Sequence, residues 1–459
     1  MNRKNALYLA LFSVLSGSAL ATPQEMNTEP VTSAPQAAKL GAAELQSAKL
    51  SRGIIATQAV KLAAPVSREL SSLKQRRLQQ IKHGQPLQIG FARAVPNPVV
   101  NLNTLDWQTA QDGSRVATLK ITSANAASVR AALQLKGTGA GDPARVTLRF
   151  AGNDGRVFEQ SGTVFAGSQP GWSPTVAGDT ILVEIALPAG QYPENFSLTI
   201  PQLSHLDISP TASARDMLRI AINESESCQN DVVCRSNPST GFTNATKAVA
   251  RMVFTQNGSS YLCSGTLLNN NNSPKRALFW TAAHCISTQT VADTLQTYWF
   301  YDAATCNGSS VSASAVTLSG GAYLRHADTS RDTALLELKS TPPSGAFYAG
   351  WNSAAIAATG AAIEGIHHPA GDVKKYSLGS VTGLSTSIDG KSPFYQVVWT
   401  DGTTEGGSSG SGLFTSSSGN YQLRGGLYGG YSACSAQSEP DYYSRFADVY
   451  SSIQSYLGQ

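Results

Sequence analysis

The 459-residue sequence has few charged residues, no cysteine before residue 228, and no long apolar run after its first twenty residues. Only 14% of its residues are charged, while Gly, Ser, Thr and Asn are frequent, which is typical of an exported β-rich protein. The net charge of +4 is too small to indicate nucleic-acid binding. A membrane span needs about 20 apolar residues, so none is predicted in the mature chain. The length predicts two or three domains.

The start of the chain has the design of a secretory signal. Arg3 and Lys4 form a positive end, residues 6–15 are apolar, and small residues surround Ala21. This pattern predicts a signal peptide over residues 1–21 that is removed after Ala21. We therefore expect a secreted protein, exported through the periplasm and not attached to a membrane after cleavage.

The cysteines are confined to the last part of the chain: Cys228, Cys234, Cys263, Cys285, Cys306 and Cys434. An even number in an exported region predicts three disulfides, but the spacing leaves their pairing open. No CxxC pair is present, which argues against a zinc site. No metal or other cofactor is expected.

Composition divides the chain into two regions. Residues 22–219 begin with an Ala-, Gln-, Ser- and Pro-rich stretch that predicts a disordered start, followed from about residue 86 by β-type runs such as "RVATLKIT" and "TILVEIALPAG" that predict a sandwich. Residues 220–459 contain short strand patterns such as "AVARMVF" that predict a large all-β domain of two barrels or sheets. The first region has 19 Lys and Arg against 14 Asp and Glu, and the second has 13 against 16. These opposite charges favour docking of one region on the other.

Three residues stand in contexts that suit nucleophilic catalysis. His284 ends the apolar run "FWTAAH", and Asp332 directly precedes the strand pattern "TALLEL". Ser409 lies within "GGSSGSG", where glycines allow a tight turn. The order His, Asp, Ser along the chain is that of the chymotrypsin-like triad.

The motifs "TAAHC", "RDTALLEL" and "GGSSGSGLF" resemble the chymotrypsin-like serine proteases. With "IHHPAGDVKKYS" and "GGLYGGYSACSA", they more closely resemble the secreted bacterial lysyl endopeptidases over residues 225–459. The resemblance implies an all-β, chymotrypsin-like double β-barrel protease domain over residues 220–459, preceded by a β-sandwich-like pro-region over residues 22–219. It also implies a monomeric zymogen that cleaves protein and peptide substrates after lysine, with its own pro-region as an intramolecular inhibitor or chaperone.

The resemblance assigns roles to the triad and its neighbours. It implies that Ser409 is the nucleophile, His284 the general base and Asp332 its orienting partner. The backbone N–H groups of Gly407 and Ser409 would form the oxyanion hole. The implied disulfides are Cys228–Cys434, Cys234–Cys306 and Cys263–Cys285.

The resemblance also implies a substrate pocket with a carboxylate at its base. Asp441 matches the pocket aspartate, while Glu439 and Asp448 are the alternatives and are expected to be surface charges. The pocket wall would be formed by Tyr428, Gly429 and Gly430. Tyr428 stands where the larger family members have a histidine, so the adjoining subsite is expected to differ.

Two further departures concern activation. Ser408 replaces the aspartate that pairs with a freed N-terminus in trypsin-like zymogens, so we expect activation by removal of a blocking pro-region. No lysine occurs between Lys136 and Lys247, and the junction offers only Arg215 and Arg219 as processing sites. An arginine-accepting, trypsin-like endopeptidase is therefore the competing specificity.

Other interpretations of the same motifs are weaker. A linker over residues 403–420 would need a further domain behind it. A lipase-like esterase with Ser408 as nucleophile would need a later histidine, whereas the last one is His368. An inactive protease-like adhesion domain would be expected to lose a triad member. His367 and His368 suggest a metal site, but adjacent strand residues point to opposite faces, which favours a structural role.

Overall fold

The computed structural model describes residues 23–32, 45, 56–79, 84–208 and 225–459. We call residues 23–208 the N-terminal half and residues 225–459 the C-terminal half. The expected signal peptide and the junction with Arg215 and Arg219 lie outside the described residues. No helix in the described ranges is long and apolar enough to cross a bilayer.

The described chain is built almost entirely of strands, which confirms the predicted all-β class. The N-terminal half contributes strands β1 to β15: Glu25–Met26, Glu29–Pro30, Thr57–Leu62, Leu87–Gln88, Gly90–Ala94, Val99–Val100, Gln108–Thr109, Arg115–Ser123, Ser128–Gly137, Thr147–Ala151, Val157–Ser161, Gly171–Trp172, Val176–Ala177, Thr180–Leu187 and Phe196–Leu206. The C-terminal half contributes β16 to β31: Asn230–Asp231, Val249–Gln256, Ser259–Leu267, Leu278–Thr281, Gln296–Trp299, Val316–Leu318, Ala322–Asp328, Thr333–Leu338, Phe347–Tyr348, Gly350–Asn352, Ala362–His367, Lys375–Ile388, Lys391–Asp401, Gly412–Ser417, Asn420–Gly430 and Asp441–Ser444. The helices α1 to α4 are Ser67–Gln79, Thr240–Thr246, Gln289–Ala292 and Phe446–Ile453.

The N-terminal half forms a sandwich of two sheets. One sheet has the order β11-β10-β14-β8-β3, and the other has the order β12-β9-β15-β5. Branched and aromatic side chains from both sheets form one buried cluster that includes Leu119, Leu133, Phe150 and Val183. Strands with one buried face suit this arrangement because alternate side chains point into the same core.

The expectation of a disordered start does not hold for the described residues before position 80. Strands β1 and β2 pair with strands of the C-terminal half, β3 joins the sandwich, and α1 precedes the cleft region. Composition could not reveal β1 and β2, because their hydrogen-bond partners lie more than 300 residues away in sequence.

The C-terminal half contains two antiparallel-rich sheets. The first has the order β21-β20-β17-β18-β19-β23-β22. In the second, β31 pairs with both β28 and β30, so the strands β30-β29-β26-β27-β28-β31 close into a barrel. Helix α4 packs its apolar face against Trp351 and Trp280. The two sheets meet where the expected triad residues lie.

The two halves are joined by buried polar contacts. Arg130 of the sandwich donates hydrogen bonds to Thr255 Oγ1 and to the Thr294 carbonyl, both at 2.8 Å. The N–H of Thr175 donates to Gln296 Oε1 at 2.8 Å. Burial lowers the pKa of the Arg130 guanidinium to about 10, and the partners named here are neutral. Docking at this point therefore relies on hydrogen bonding and not on opposite charges.

Candidate active site

His284 and Asp332 form a close pair at the junction of the two sheets. His284 Nδ1 lies 2.7 Å from Asp332 Oδ2, and the backbone N–H of His284 donates to Asp332 Oδ1 at 2.8 Å. Asp332 is 2% exposed and has a positive φ of 55°, so the turn before β23 aims its carboxylate back at the imidazole. The second ring nitrogen, Nε2, has no hydrogen-bond partner within the described ranges. This nitrogen is available to a hydroxyl or a substrate.

Ser409 lies on a glycine-bounded loop that packs against strands β18 and β19. Ser264 N–H donates to the Ser409 carbonyl at 2.9 Å. Gly407 and Gly410 have φ values of +97° and +79°, which disfavour side chains. A Cβ at Gly410 would lie 2.2 Å from Thr281 Oγ1, so the loop can approach β19 this closely only with glycine there.

The backbone N–H groups of this loop differ in their partners. Those of Ser408, Gly410 and Ser411 donate to carbonyls of Glu405, Leu427 and Ser408 at 2.8–3.0 Å. Those of Gly407 and Ser409 donate to no acceptor in the described part of the chain. Two unpaired N–H donors that lie two residues apart in one loop can bind an oxyanion.

A buried network holds the loop without the usual aspartate. Ser408 Oγ lies 2.8 Å from His367 Nδ1, and His367 Nε2 lies 3.0 Å from Ser377 Oγ. Ser377 Oγ in turn donates to the Thr403 carbonyl at 2.8 Å. Exclusion from water, with Lys375 nearby, lowers the pKa of His367 to about 3, so the ring is neutral. His367 is thus a structural residue, as the sequence analysis favoured.

His368 and the disulfides complete the supports of the site. His368 is wholly buried, its N–H donates to Ser264 Oγ at 3.0 Å, and its Nδ1 lies 3.0 Å from the Asp372 carbonyl. The structure contains the three disulfides that the resemblance implied: Cys228–Cys434, Cys234–Cys306 and Cys263–Cys285. The sulfurs of Cys263 and Cys285 lie near a nitrogen of His284, but a disulfide offers no thiolate ligand for a metal ion.

Asp441 is buried in the second sheet of the C-terminal half and accepts several hydrogen bonds. Its Oδ2 accepts from Trp399 Nε1 at 2.7 Å, from Thr404 Oγ1 at 2.7 Å and from Ser432 Oγ at 2.6 Å. Burial raises the pKa of the Asp441 carboxyl, and these donors oppose that effect. A Cβ at Gly430 would lie 2.3 Å from Asp441 Oδ1, so the paired strand β30 needs glycine here. The two other carboxylates considered for the specificity role have different surroundings. Glu439 is exposed, and Asp448 Oδ2 lies 3.1 Å from Arg445 Nε.

An aromatic wall stands beside the imidazole. The ring of Tyr428 meets that of His284 edge-on with centroids 5.9 Å apart, and Phe394 lies 5.3 Å from Tyr428. Tyr428 Oη donates to Asp389 Oδ2 at 3.0 Å. Burial and this hydrogen bond raise the pKa of the Tyr428 phenol, so it stays protonated.

A segment of the N-terminal half contacts residues next to this site. Gly84 N–H donates to the Tyr428 carbonyl at 3.2 Å, and a Cβ at Gly84 would lie 2.5 Å from the Tyr428 ring. Three residues later, Leu87 pairs with Leu262 on β18, and its side chain approaches Gly406. Only two residues, Gln85 and Pro86, connect the contact with Tyr428 to the contact with β18.

Several residues of the site carry no sequence signal. Trp399, Thr404 and Ser432 surround Asp441 but lie up to 42 residues from it in the chain. Asp389 orients Tyr428 across 39 residues. The nearest sequence signal was the aromatic Tyr428 before two glycines, which indicated a pocket wall but not the hydrogen-bond partner of Tyr428.

The all-β architecture and this arrangement of residues define a serine endopeptidase of chymotrypsin-like fold. Residues 61–207 match the family model described as "Lysyl endopeptidase N-terminal domain", and residues 222–444 match "Lysyl endopeptidase, C-terminal domain". A curated lysyl endopeptidase of Pseudomonas aeruginosa is 47% identical over 385 residues, which cover 82% of each chain. The chain belongs to the lysyl endopeptidase family.

Similar solved structures are more distant. The active form of the Rv3671c protease of M. tuberculosis is 17% identical with a TM-score of 0.33, over 47% of this chain and 83% of that one. The thermostable serine protease AL20 of an extremophilic microorganism is 15% identical with a TM-score of 0.33, over 46% and 96%.

Proposed function

We propose that the chain is the secreted zymogen of an endopeptidase that cleaves on the carboxyl side of lysine. The observation that carries the proposal is the double hydrogen bond of Asp332 to the ring and backbone of His284, beside a loop that presents Ser409. Asp332 keeps the proton on Nδ1, which leaves the Nε2 lone pair free for the serine proton. The signal-like start supports export.

The reaction follows from these positions. Ser409 Oγ attacks the scissile carbonyl while His284 Nε2 takes its proton, and the oxyanion accepts hydrogen bonds from the N–H groups of Gly407 and Ser409. His284 then protonates the leaving amine, and an acyl-enzyme remains on Ser409. Water attacks this ester with His284 again as the base, which frees the new carboxyl end of the substrate. One oxyanion donor typically lowers the barrier by about 3–4 kcal/mol.

Lysine preference is assigned to Asp441. A long alkyl stem can cross the slot between β30 and the loop before Ser409, and the ammonium then meets a carboxylate at the base. Trp399, Thr404 and Ser432 already donate to that carboxylate, so its orientation is set before substrate arrives. The absence of a junction lysine favours a second specificity, in which arginine is accepted more slowly.

Inhibition is assigned to the segment Gly84–Gln88 of the N-terminal half. It lies against Tyr428 on one side and pairs with β18 on the other, so a substrate cannot take the same path. Gln85 is exposed and no residue of the segment is a lysine, so nothing in it suits the Asp441 pocket. The segment therefore occupies the cleft without presenting a preferred bond.

The test is the precursor with Ser409→Ala. We expect it to remain unprocessed and to lose cleavage of lysyl peptides by at least about 10⁴-fold, because the nucleophile is absent. Ser416→Ala, an exposed serine on β29, is the matched control and should behave as wild type. Normal proteolysis by the Ser409→Ala protein would overturn the assignment.

A further inference from the structure

The N-terminal half contacts the C-terminal half at a second place, far from the cleft. Strand β1 pairs with β25 through Met26 and Trp351, and β2 pairs with β24 through Glu29 and Tyr348. The pairing continues to Val31, whose N–H donates to the Ala346 carbonyl at 2.9 Å. We call residues 24–31 the docking strand. Its strand β1 forms the edge of the second sheet of the C-terminal half, and its strand β2 forms a separate two-stranded sheet with β24.

Side-chain hydrogen bonds add to this pairing. Thr28 Oγ1 donates to the Tyr421 carbonyl at 3.3 Å and accepts from Gly350 N–H at 3.0 Å. Asn269 Nδ2 donates to the Asn27 carbonyl at 2.8 Å. Backbone and side-chain partners therefore both recognise the docking strand, as expected when an extended peptide adds to a sheet edge.

The docking strand also contributes to two hydrophobic clusters of the C-terminal half. Met26 packs against the cluster that contains Trp351 and Phe446. Val31 is 9% exposed and belongs to the cluster that contains Tyr348 of β24 together with residues of the first sheet. An ion pair at 2.9 Å between Lys275 and Glu29 lies between these two points.

Gly350 is the feature that makes room for the docking strand. A Cβ at this position would lie 2.4 Å from the Met26 carbonyl oxygen and 3.0 Å from backbone atoms of the next two residues. Its φ lies outside the left-handed region, so its own backbone does not require glycine. The three nearest atoms to an added methyl group all belong to the docking strand.

The docking strand and the cleft segment bind opposite ends of one strand, β30. Thr28 contacts Tyr421 near its start and Gly84 contacts Tyr428 near its end. Seven residues of an extended strand span about 23 Å. One chain thus holds the C-terminal half at two separated sites, and binding at one keeps the other at a high local concentration.

We infer that the docking strand retains the N-terminal half on the enzyme after the junction is cut, so that the cleft stays blocked until both contacts are lost. The inference rests on the proposed zymogen function. Its partner is defined: residues 24–31 of this chain bind β24, Phe347–Tyr348, and β25, Gly350–Asn352, of the same chain. Cutting the junction alone then does not yield full activity.

The test uses the full precursor with Ser409→Ala and a recognition site for a sequence-specific protease placed between residues 208 and 225. After cutting, dissociation of the N-terminal half is followed by size-exclusion chromatography after dilution. Gly350→Ala should increase the dissociation rate by at least about 10-fold, because only one of two linked contacts remains. Gly167→Ala is the matched control, since an added Cβ there meets its nearest atom at 3.5 Å.

A second variant on the other partner guards against a folding defect in the C-terminal half. Thr28→Val keeps the side-chain shape but removes two hydrogen bonds, so it should also accelerate dissociation. Equal rates for Gly350→Ala, Thr28→Val and Gly167→Ala would overturn the inference. This readout needs no catalysis. Failure of the zymogen proposal would appear in a separate experiment. The uncut wild-type precursor, which keeps Ser409, would then be as active as the free enzyme.

Discussion

At the scale of single residues, the proposed lysine preference depends on Asp441. Asp441 is 1% exposed, and its carboxylate accepts hydrogen bonds from neutral groups of Trp399, Thr404 and Ser432. A buried carboxylate with neutral donors keeps its negative charge uncompensated, and a substrate ammonium supplies the missing counter-charge. Its geometry therefore suits a cation at the end of a long side chain.

We predict that Asp441→Ser removes the preference for basic residues. An ammonium desolvated without its partner should lose about 3–5 kcal/mol, which corresponds to a decrease in kcat/KM of about 10²–10³-fold for lysyl substrates. A serine-directed phosphonate should still label Ser409 at the normal rate. Glu439→Ser is the matched control because Glu439 is exposed. If lysine preference survived in Asp441→Ser, the specificity carboxylate would have to be another residue.

His367 should make the nucleophile loop sensitive to acid. Its pKa is about 3 in the folded protein against an ordinary value of 6.5, so the unfolded chain binds more protons between these values. The stability that His367 contributes is complete above pH 6.5 and is lost as the pH falls, by about 1.4 kcal/mol for each pH unit.

We predict that His367→Gln flattens this dependence in the Ser409→Ala precursor. The measurement is the midpoint of thermal unfolding between pH 4 and pH 7. His326→Gln provides the comparison, because His326 is only half-buried on β22 and should change the slope less. An unchanged slope in His367→Gln would show that the buried imidazole is not a source of acid sensitivity.

At the scale of elements, the proposed inhibition by the segment Gly84–Gln88 depends on its geometry. Gly84 has a φ of +66° and lies against the Tyr428 ring, so both the backbone and the space require glycine. We predict that Gly84→Ala displaces the segment and gives the uncut precursor measurable activity on small lysyl substrates. The assay compares initial rates of precursor preparations in which an intact junction has been verified by gel electrophoresis.

Gly139→Ala is the control for this experiment. Gly139 has a similar φ of +58°, but an added Cβ there has no atom within 4 Å. It reproduces the backbone strain of a left-handed residue without the collision at Tyr428. Equal activity in the two variants would mean that strain in the N-terminal half, and not loss of the cleft contact, releases the enzyme.

How much the sequence predicts depends on whether the information is local. His284, Asp332 and Ser409 each stand in a short motif, because an apolar strand or a glycine turn must position each side chain. The strand-rich class was predictable for the same reason. Trp399 and Asp389 had no such context, since their roles appear only when β28 or its preceding turn meets β30 and β31.

The sequence also could not predict which segments pair with partners far away in the chain. Residues 24–31 have no alternating pattern, because the C-terminal half supplies the partners that make them strands. The cleft segment is equally short, and its role depends on Tyr428 and Leu262, more than 170 residues away. Local composition predicted disorder for residues 24–31, because composition contains no information on distant partners.

At the scale of the whole molecule, the proposed zymogen maturation would separate two halves that share one chain. The junction lies outside the described residues, and its sequence offers Arg215 and Arg219 but no lysine. A carboxylate at the base of the pocket can also attract a guanidinium, because discrimination further depends on pocket depth and polar partners. Self-processing is therefore compatible with the site only if arginine is accepted.

We predict processing after Arg215 or Arg219, with lysine preferred in other proteins and arginine cleaved more slowly. The precursor with both arginines changed to alanine should remain uncut, while its cleft and triad are unaltered. Wild-type enzyme should cleave a lysyl peptide rapidly and the matched arginyl peptide slowly but measurably. If wild type never cleaved after arginine, and the Ser409→Ala precursor still matured normally in its host, self-processing would be wrong. A partner protease would then have to cut the junction, and the pocket would be strictly selective for lysine.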